Sequence, residues 1–376
     1  MGSKVKLLLV AAAVAAAVGC ARNEIDRAID KLGGNERERR EAELELTLTS
    51  RDPMPKLIKA VVDHKRSPKL RSNVARVIGI ISERQEDRRA EGALIQVLSE
   101  PDQSLRMEAM VALSKIKSDS ALTVLSKMLD DEDRQIRIKA TECLKKVAEE
   151  LVEEARKLEA KGDKDEAGAS LIKAASYNPY NGKVLDALAG FYKRQGKIEK
   201  ADSIYASLGL IREWWLIGPF PNPDHRGFKV QYPPEREIRF DRSYRGKDGK
   251  RVRWFKHSGP KDGRIDLVGP FKGVADTDSA LAYGFCYVYS PVSQKVQMHI
   301  GSDDANILWL NGKKVHELHV HRPLRIDDDV FEATLEQGDN RLLVKITNGD
   351  LGWGFMVRIT DSEGRPLKGI KYKLTL

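Results

Sequence analysis

The residues of this 376-residue chain best suited to acid–base or metal chemistry are two carboxylate clusters, Asp303-Asp304 and Asp327-Asp328-Asp329, and three histidines, His316, His319 and His321. Paired carboxylates do acid–base work when their surroundings drive their proton affinities apart. Nothing in the sequence fixes the separation of these two clusters. On a strand His319 and His321 share a face and His316 points away; on a helix His316 and His319 align and His321 lies far around. No regular element gathers all three, and zinc needs three or four converging ligands, so a polar strand or loop is expected here. Four aromatics, Trp254, Tyr287, Tyr289 and Trp353, are candidates for stacking on sugar rings, with core packing as the ordinary alternative. A basic stretch from Arg236 to Lys256 holds Arg242, Arg245, Lys247, Lys250, Arg251 and Arg253 beside Trp254 and Phe255. It reads as a hairpin with a solvated face or a contact for anionic glycan, in preference to a nucleic-acid site.

The elements that must position these groups begin with a leader. Lys4 and Lys6 precede an unbroken apolar run, Leu7–Val18, and Ala17-Val18-Gly19 leads into Cys20. That order is a secretory signal peptide, too short for a membrane span, which needs roughly 20 residues. Its ending resembles the lipobox of bacterial lipoproteins, with Ala17 where Leu is usual. The resemblance implies lipid on Cys20 and an extracytoplasmic chain; an ordinary cleaved signal peptide is the alternative. Ala21 and Arg22 lack the Asp that retains enteric lipoproteins at the inner membrane, which points to the outer membrane or a periplasm-facing site. The three cysteines, at 20, 143 and 286, exclude a disulfide scaffold. The net charge of +9 is mild for the length and argues against a nucleic-acid partner.

Residues 20–52 are strongly charged and read as a linker or an exposed helix. From Pro53 a 31-residue period appears: Leu98, Leu105-Arg106, Ala109, Ala112-Leu113 and Ile116 recur as Leu129, Ile136-Arg137, Ala140, Cys143-Leu144 and Val147. A degraded copy holds Leu70-Arg71, Val74, Val77, Ile78 and Ile81. The spacing is helical, and Asp102 and Asp133 are placed to cap the helices that follow. The pattern resembles short bacterial HEAT repeats over 53–148, which implies a stacked solenoid used for protein contact. Residues 149–210 follow a 34-residue period: Gly162, Ala167 and Leu171 recur as Gly196, Ala201 and Tyr205. This resembles two tetratricopeptide (TPR) repeats, read as a connector or as a peptide-binding groove.

From Trp214 apolar residues alternate: Val296, Met298 and Ile300; Leu342, Val344 and Ile346; Phe355, Val357 and Ile359. Asn311-Gly312 between two such runs predicts a tight hairpin. Residues 211–376 are therefore expected to form an antiparallel sandwich or jelly roll. Gly301-Ser302-Asp303-Asp304-Ala305 leading to Trp309-Leu310-Asn311-Gly312-Lys313, with Asn340-Arg341-Leu342-Leu343-Val344-Lys345, resembles the PA14-like and galactose-binding-like modules attached to bacterial glycosidases. The resemblance implies carbohydrate contact and, at Asp303 and Asp304, a role in binding Ca²⁺. A turn whose side chains bond their own backbone is the alternative there.

The sequence thus predicts a multidomain protein, an all-α solenoid of HEAT-like and TPR repeats followed by an all-β sandwich. The expected role is a lipid-anchored, non-catalytic envelope lipoprotein with a protein partner on the helices and glycan on the sandwich. A purely structural scaffold and a metal- or carboxylate-dependent glycan hydrolase are the alternatives.

Overall fold

A computed structural model describes residues 24–375, so the leader and the lipidation candidate Cys20 lie outside the described residues. The chain divides into two compact units, the first running to Leu151 with Ser176–Asn178, the second comprising Val152–Ala175 and Pro179 onward.

The first unit is helical: α1 (24–31), α2 (Glu36–Leu48), α3 (Met54–Val62), α4 (Pro68–Gln85), α5 (Glu91–Val97), α6 (Gln103–Ile116), α7 (Asp119–Lys127) and the start of α8 (Arg134–Lys161). Of the linker or exposed helix expected for the charged stretch, the structure has two helices, and they and the turn between them contribute Ala28, Ile29, Leu32, Ala42 and Leu46 to the core. Few apolar residues sufficed because they recur on one face, while Arg39–Glu43 and Arg37–Glu41 pair one turn apart. The repeat stripes are buried as their period requires: Val74, Val77 and Ile78 on α4, Ala109, Ala112 and Leu113 on α6, and Ile136, Ala140 and Leu144 on α8. Asp102 caps α6 through Leu105 N–H at 2.8 Å, and Asp133 accepts from Gln135 N–H at 2.9 Å. The shared arginines fasten one repeat to the next: Arg71 to Glu100 at 2.8 Å and Arg106 to Asp133 at 3.1 Å.

The second unit contains the rest of α8, nearly all of α9 (Lys164–Tyr177), α10 (Gly182–Arg194), α11 (Ile198–Ser207) and every strand. A seven-stranded sheet has the order β4 (Phe255–Ser258), β1 (Glu213–Pro221), β6 (Ala280–Ser290), β11 (Gly338–Asn348), β8 (Asn306–Leu310), β9 (Lys313–Leu318), with β13 (Lys371–Lys373) also on β6. A four-stranded sheet has the order β10 (Asp329–Leu335), β7 (Gln294–Asp303), β12 (Gly354–Thr360), β5 (Ile265–Asp266), and β2 (Ser243–Arg245) pairs β3 (Arg251–Arg253) as a hairpin. Every pairing is antiparallel. The alternating apolar sets of β7, β11 and β12 all point into one core with Trp214, Leu216 and Cys286. At the β8–β9 turn Asn311 and Gly312 have φ of 54° and 83°, the left-handed pair that such a hairpin demands.

Residues 149–210 are not separated from the sandwich at position 210. Leu185, Ala201, Tyr205 and Leu208 share a core with Ile326 and Met356, and Arg264–Asp186 at 3.0 Å and Lys193–Asp262 at 2.8 Å fasten its rim. The sequence boundary marks where periodicity changes; burial continues across it.

Candidate ligand site

The paired aspartates sit where β7 ends. The carboxylate of Asp304 is buried and accepts from the backbone N–H of Arg322 at 3.1 Å and of Gly349 at 2.8 Å, with His321 Nδ1 at 2.9 Å. Asp303 is half-buried; burial, reinforced by the charge of Asp304, pushes its carboxyl up to about 6. Ca²⁺ takes roughly six to eight oxygen ligands. Both oxygens of Asp304 are committed to N–H donors, so the pair does not supply that donor set. Among the described residues no group of three or more His, Cys, Asp or Glu side chains is arranged to hold a metal.

The other carboxylates are separated rather than converged. Asp329 receives both Nη atoms of Arg322 at 3.0 and 2.5 Å and Asn306 Nδ2 at 3.0 Å. Burial alone would raise its proton affinity, but Arg322 and Asn306 outweigh that and hold it low. Asp327 turns the other way, to Arg358 at 2.8 and 2.5 Å. Burial opposes its charge, yet His299 and Arg358 keep it well below the usual range. His316 lies on β9 and stacks on Phe331 at 4.4 Å, whereas His319 and His321 lie in the loop beyond the strand end at Leu318, with His319 4.7 Å from Phe228, His321 against Asp304, and both rings within 6.4 Å of His225.

The four candidate aromatics have different fates. Trp353 is buried in the sandwich core beside Phe271, and Trp254 is buried against Phe240 and Phe285. Neither has a ring face to offer, which corrects their assignment as platforms: Trp254 sits between β3 and β4 and Trp353 just before β12, and large apolar rings at such strand ends are drawn inward. Tyr289 is half-buried beneath the ammonium of Lys373, 5.5 Å from its ring. Tyr287 is half-buried, packs edge-on against Phe285 at 5.0 Å, and lines an open groove of about 350 Å³.

That groove lies on the face of the seven-stranded sheet that points away from the sandwich core. Register builds its floor. Trp215 opposes Phe285, which opposes Leu343, which opposes Trp309, a row across β1, β6, β11 and β8. In the next row Tyr287 opposes Arg341, and on the other side Tyr283 opposes Lys345. Directly opposed residues share a face with Cβ atoms roughly 4.5–5.5 Å apart. The wall is the excursion between β1 and β2, which brings Arg236, Glu237, Ile238 and Phe240 over the floor; Phe240 stacks on Trp215 at 4.4 Å.

One residue holds that wall in place. Lys345 is 1% exposed and donates to the carbonyls of Phe228 at 2.9 Å and Val230 at 2.8 Å and to Glu235 at 2.9 Å. All three of its protons are used. Burial lowers its proton affinity, and Glu235, which also accepts from the Tyr283 hydroxyl, opposes that effect. Sequence reasoning missed Arg341, Lys345, Phe240 and the exposed edge of Trp309. Their separations of up to about a hundred residues collapse only once strand register is known.

Comparison with known proteins covers the two halves unequally. Residues 54–145 match a family model for HEAT repeats. None of the curated proteins compared is significantly similar to the chain. Among solved structures, the PA14 domain of the MpAFP antifreeze protein is similar at 13% identity over 25% of this chain and 52% of that one, with a TM-score of 0.20. An engineered protein aligns at 16% identity over 48% of this chain and 97% of its own, TM-score 0.27. The β-glucosidase from Kluyveromyces marxianus in complex with glucose aligns at 12% identity over 39% of this chain and 15% of its own, TM-score 0.25. The chain thus spans about half the length of the antifreeze domain structure and a small part of the glucosidase.

Proposed function

We propose that the chain is a non-catalytic adaptor of a bacterial cell envelope, tethered by lipid on Cys20, with its helical repeats on a protein partner and its sandwich on glycan. HEAT repeats are protein-contact modules, and the match over 54–145 supports the first contact. The TPR reading of the following hairpins draws support from Gly162 and Gly196, 34 positions apart and both left-handed, with φ of 93° and 72°. The observation that carries the glycan contact is the open groove of about 350 Å³. It has the size of a small-ligand site, and it combines apolar ring faces with polar groups at its rim. The committed carboxylates Asp304, Asp327 and Asp329 favour holding over turnover, since each is already neutralised by arginine, imidazole or backbone donors.

A glycan array probed with the purified protein and with Tyr287→Ala tests this reading. Binding to a defined group of glycans, lost in the variant, is the expected result; a flat profile for the native protein leaves only a scaffold role. Mass spectrometry of the protein from its host, expected to find a lipidated N-terminal Cys20, tests the tether.

A further inference from the structure

Resting on the glycan reading above, we infer that the groove over β6, β11 and β8 takes an acidic polysaccharide, its ring carboxylates held by Arg341 and Arg236 while Tyr287 and Trp309 support the sugar faces. Three independent features lead there. The first is charge left uncommitted. Both guanidinium groups line the groove on exposed residues, and neither has a hydrogen-bond or ion-pair partner among the described residues. The acids of the same wall are already engaged: Glu235 by Lys345 at 2.9 Å, and Glu237 by Arg239 at 3.4 Å.

The second feature is where the chain puts its surplus charge. Residues 236–256 hold nine basic and three acidic side chains, a net +6, whereas the remainder of 211–376 is slightly negative. This stretch supplies the groove wall and then the β2–β3 hairpin, whose Arg245, Arg251 and Arg253 are exposed. The hairpin's buried side, Val252 with neighbouring Trp254, packs into the same cluster as Phe240, Phe285, Tyr287 and Trp309. The surplus positive charge is therefore carried by the segment whose apolar side packs against the aromatic face.

The third feature is the spacing of ring and charge. Tyr287 and Arg341 are direct cross-strand partners, so a stacking surface and a planar two-pronged donor stand side by side. A uronic acid carries its ring and its carboxylate on one unit and matches that spacing, and guanidinium binds carboxylate in a bidentate fork.

The test is titration calorimetry of the purified full chain with a galacturonic acid hexamer, with a neutral galactose hexamer and with a thymidine hexamer, repeated for Arg341→Gln and Arg236→Gln. Both arginines are exposed, so the variants are expected to melt with the native protein, which a thermal scan checks. The uronate hexamer should bind at least tenfold more tightly than the neutral one, weaken as salt rises, and lose about tenfold in Arg341→Gln. Equal binding of acidic and neutral hexamers, or unchanged uronate affinity in both variants, overturns the assignment while leaving the glycan reading intact. Preference for the thymidine hexamer overturns it in favour of nucleic acid. Silence of every saccharide here and on the array removes the glycan reading itself.

Discussion

Lys345 shows how much of the site depends on a single buried charge. Replacing it by Met leaves two carbonyls without their donor and the Glu235 carboxylate with only the Tyr283 hydroxyl, and breaking such a buried pair costs about 3–5 kcal/mol. Urea unfolding of Lys345→Met should show a loss of that order, whereas Lys373→Met, at an exposed pair, should change stability by less than about 1 kcal/mol. Asp303 makes a prediction of opposite character. Its folded proton affinity is raised to about 6, so the folded state holds the proton more tightly than the unfolded chain. Stability must then fall as pH rises from the ordinary aspartate range toward 6 and stay lower above it. Asp303→Asn should therefore melt above the native protein at pH 7 and level with it in acid; a calcium-free melt in EDTA should match one with calcium, because Asp304 is already committed. At this scale the sequence was an uneven guide. Asp303, Asp304 and Tyr287 were visible as chemistry-bearing types, but whether a ring is core or platform depends on which sheet face it takes, and Trp254 and Trp353 took buried positions.

Elements were far more legible, because periodicity reports one-sided burial directly. The 31-residue repeat, the two-step alternation of β7, β11 and β12, and the Asn311-Gly312 turn all appear where their patterns place them. Repeat stacking has a steric requirement as well: a Cβ on Gly79 of α4 would lie 2.9 Å from Ala112 Cα on α6. Gly79→Val should destabilise the helical unit by about 1–3 kcal/mol through overpacking, read by circular dichroism melts. Asp102→Ala, which removes the cap of α6, should cost about 1 kcal/mol. At 24–48 the expectation of a linker or exposed helix missed only that the helices bury one face. Their apolar stripe is narrow, and their abundant charges pair within α2 or, from α1, with Arg51, Lys56 and Arg66, so composition concealed an amphipathic pattern that spacing retained.

For the whole molecule, the change from helical to alternating pattern near 210 invited a domain boundary that the packing does not honour. Residues from α10 and α11 and from the sandwich share one core, and the buried Arg358–Asp327 pair lies beside Gly182 at the start of α10. A fragment of 211–376 should therefore aggregate or melt well below one of 149–376, as judged by size exclusion and thermal scanning. The central claim, that the second unit holds acidic glycan in the groove under the β1–β2 excursion, is tested most directly by hydrogen exchange with and without a saturating uronate hexamer. Slowed exchange should appear at 236–240, 285–287, 309–312 and 341–343, the segments that line the groove. Protection confined to 303–304 and 319–325, or none anywhere in the unit, would contradict it.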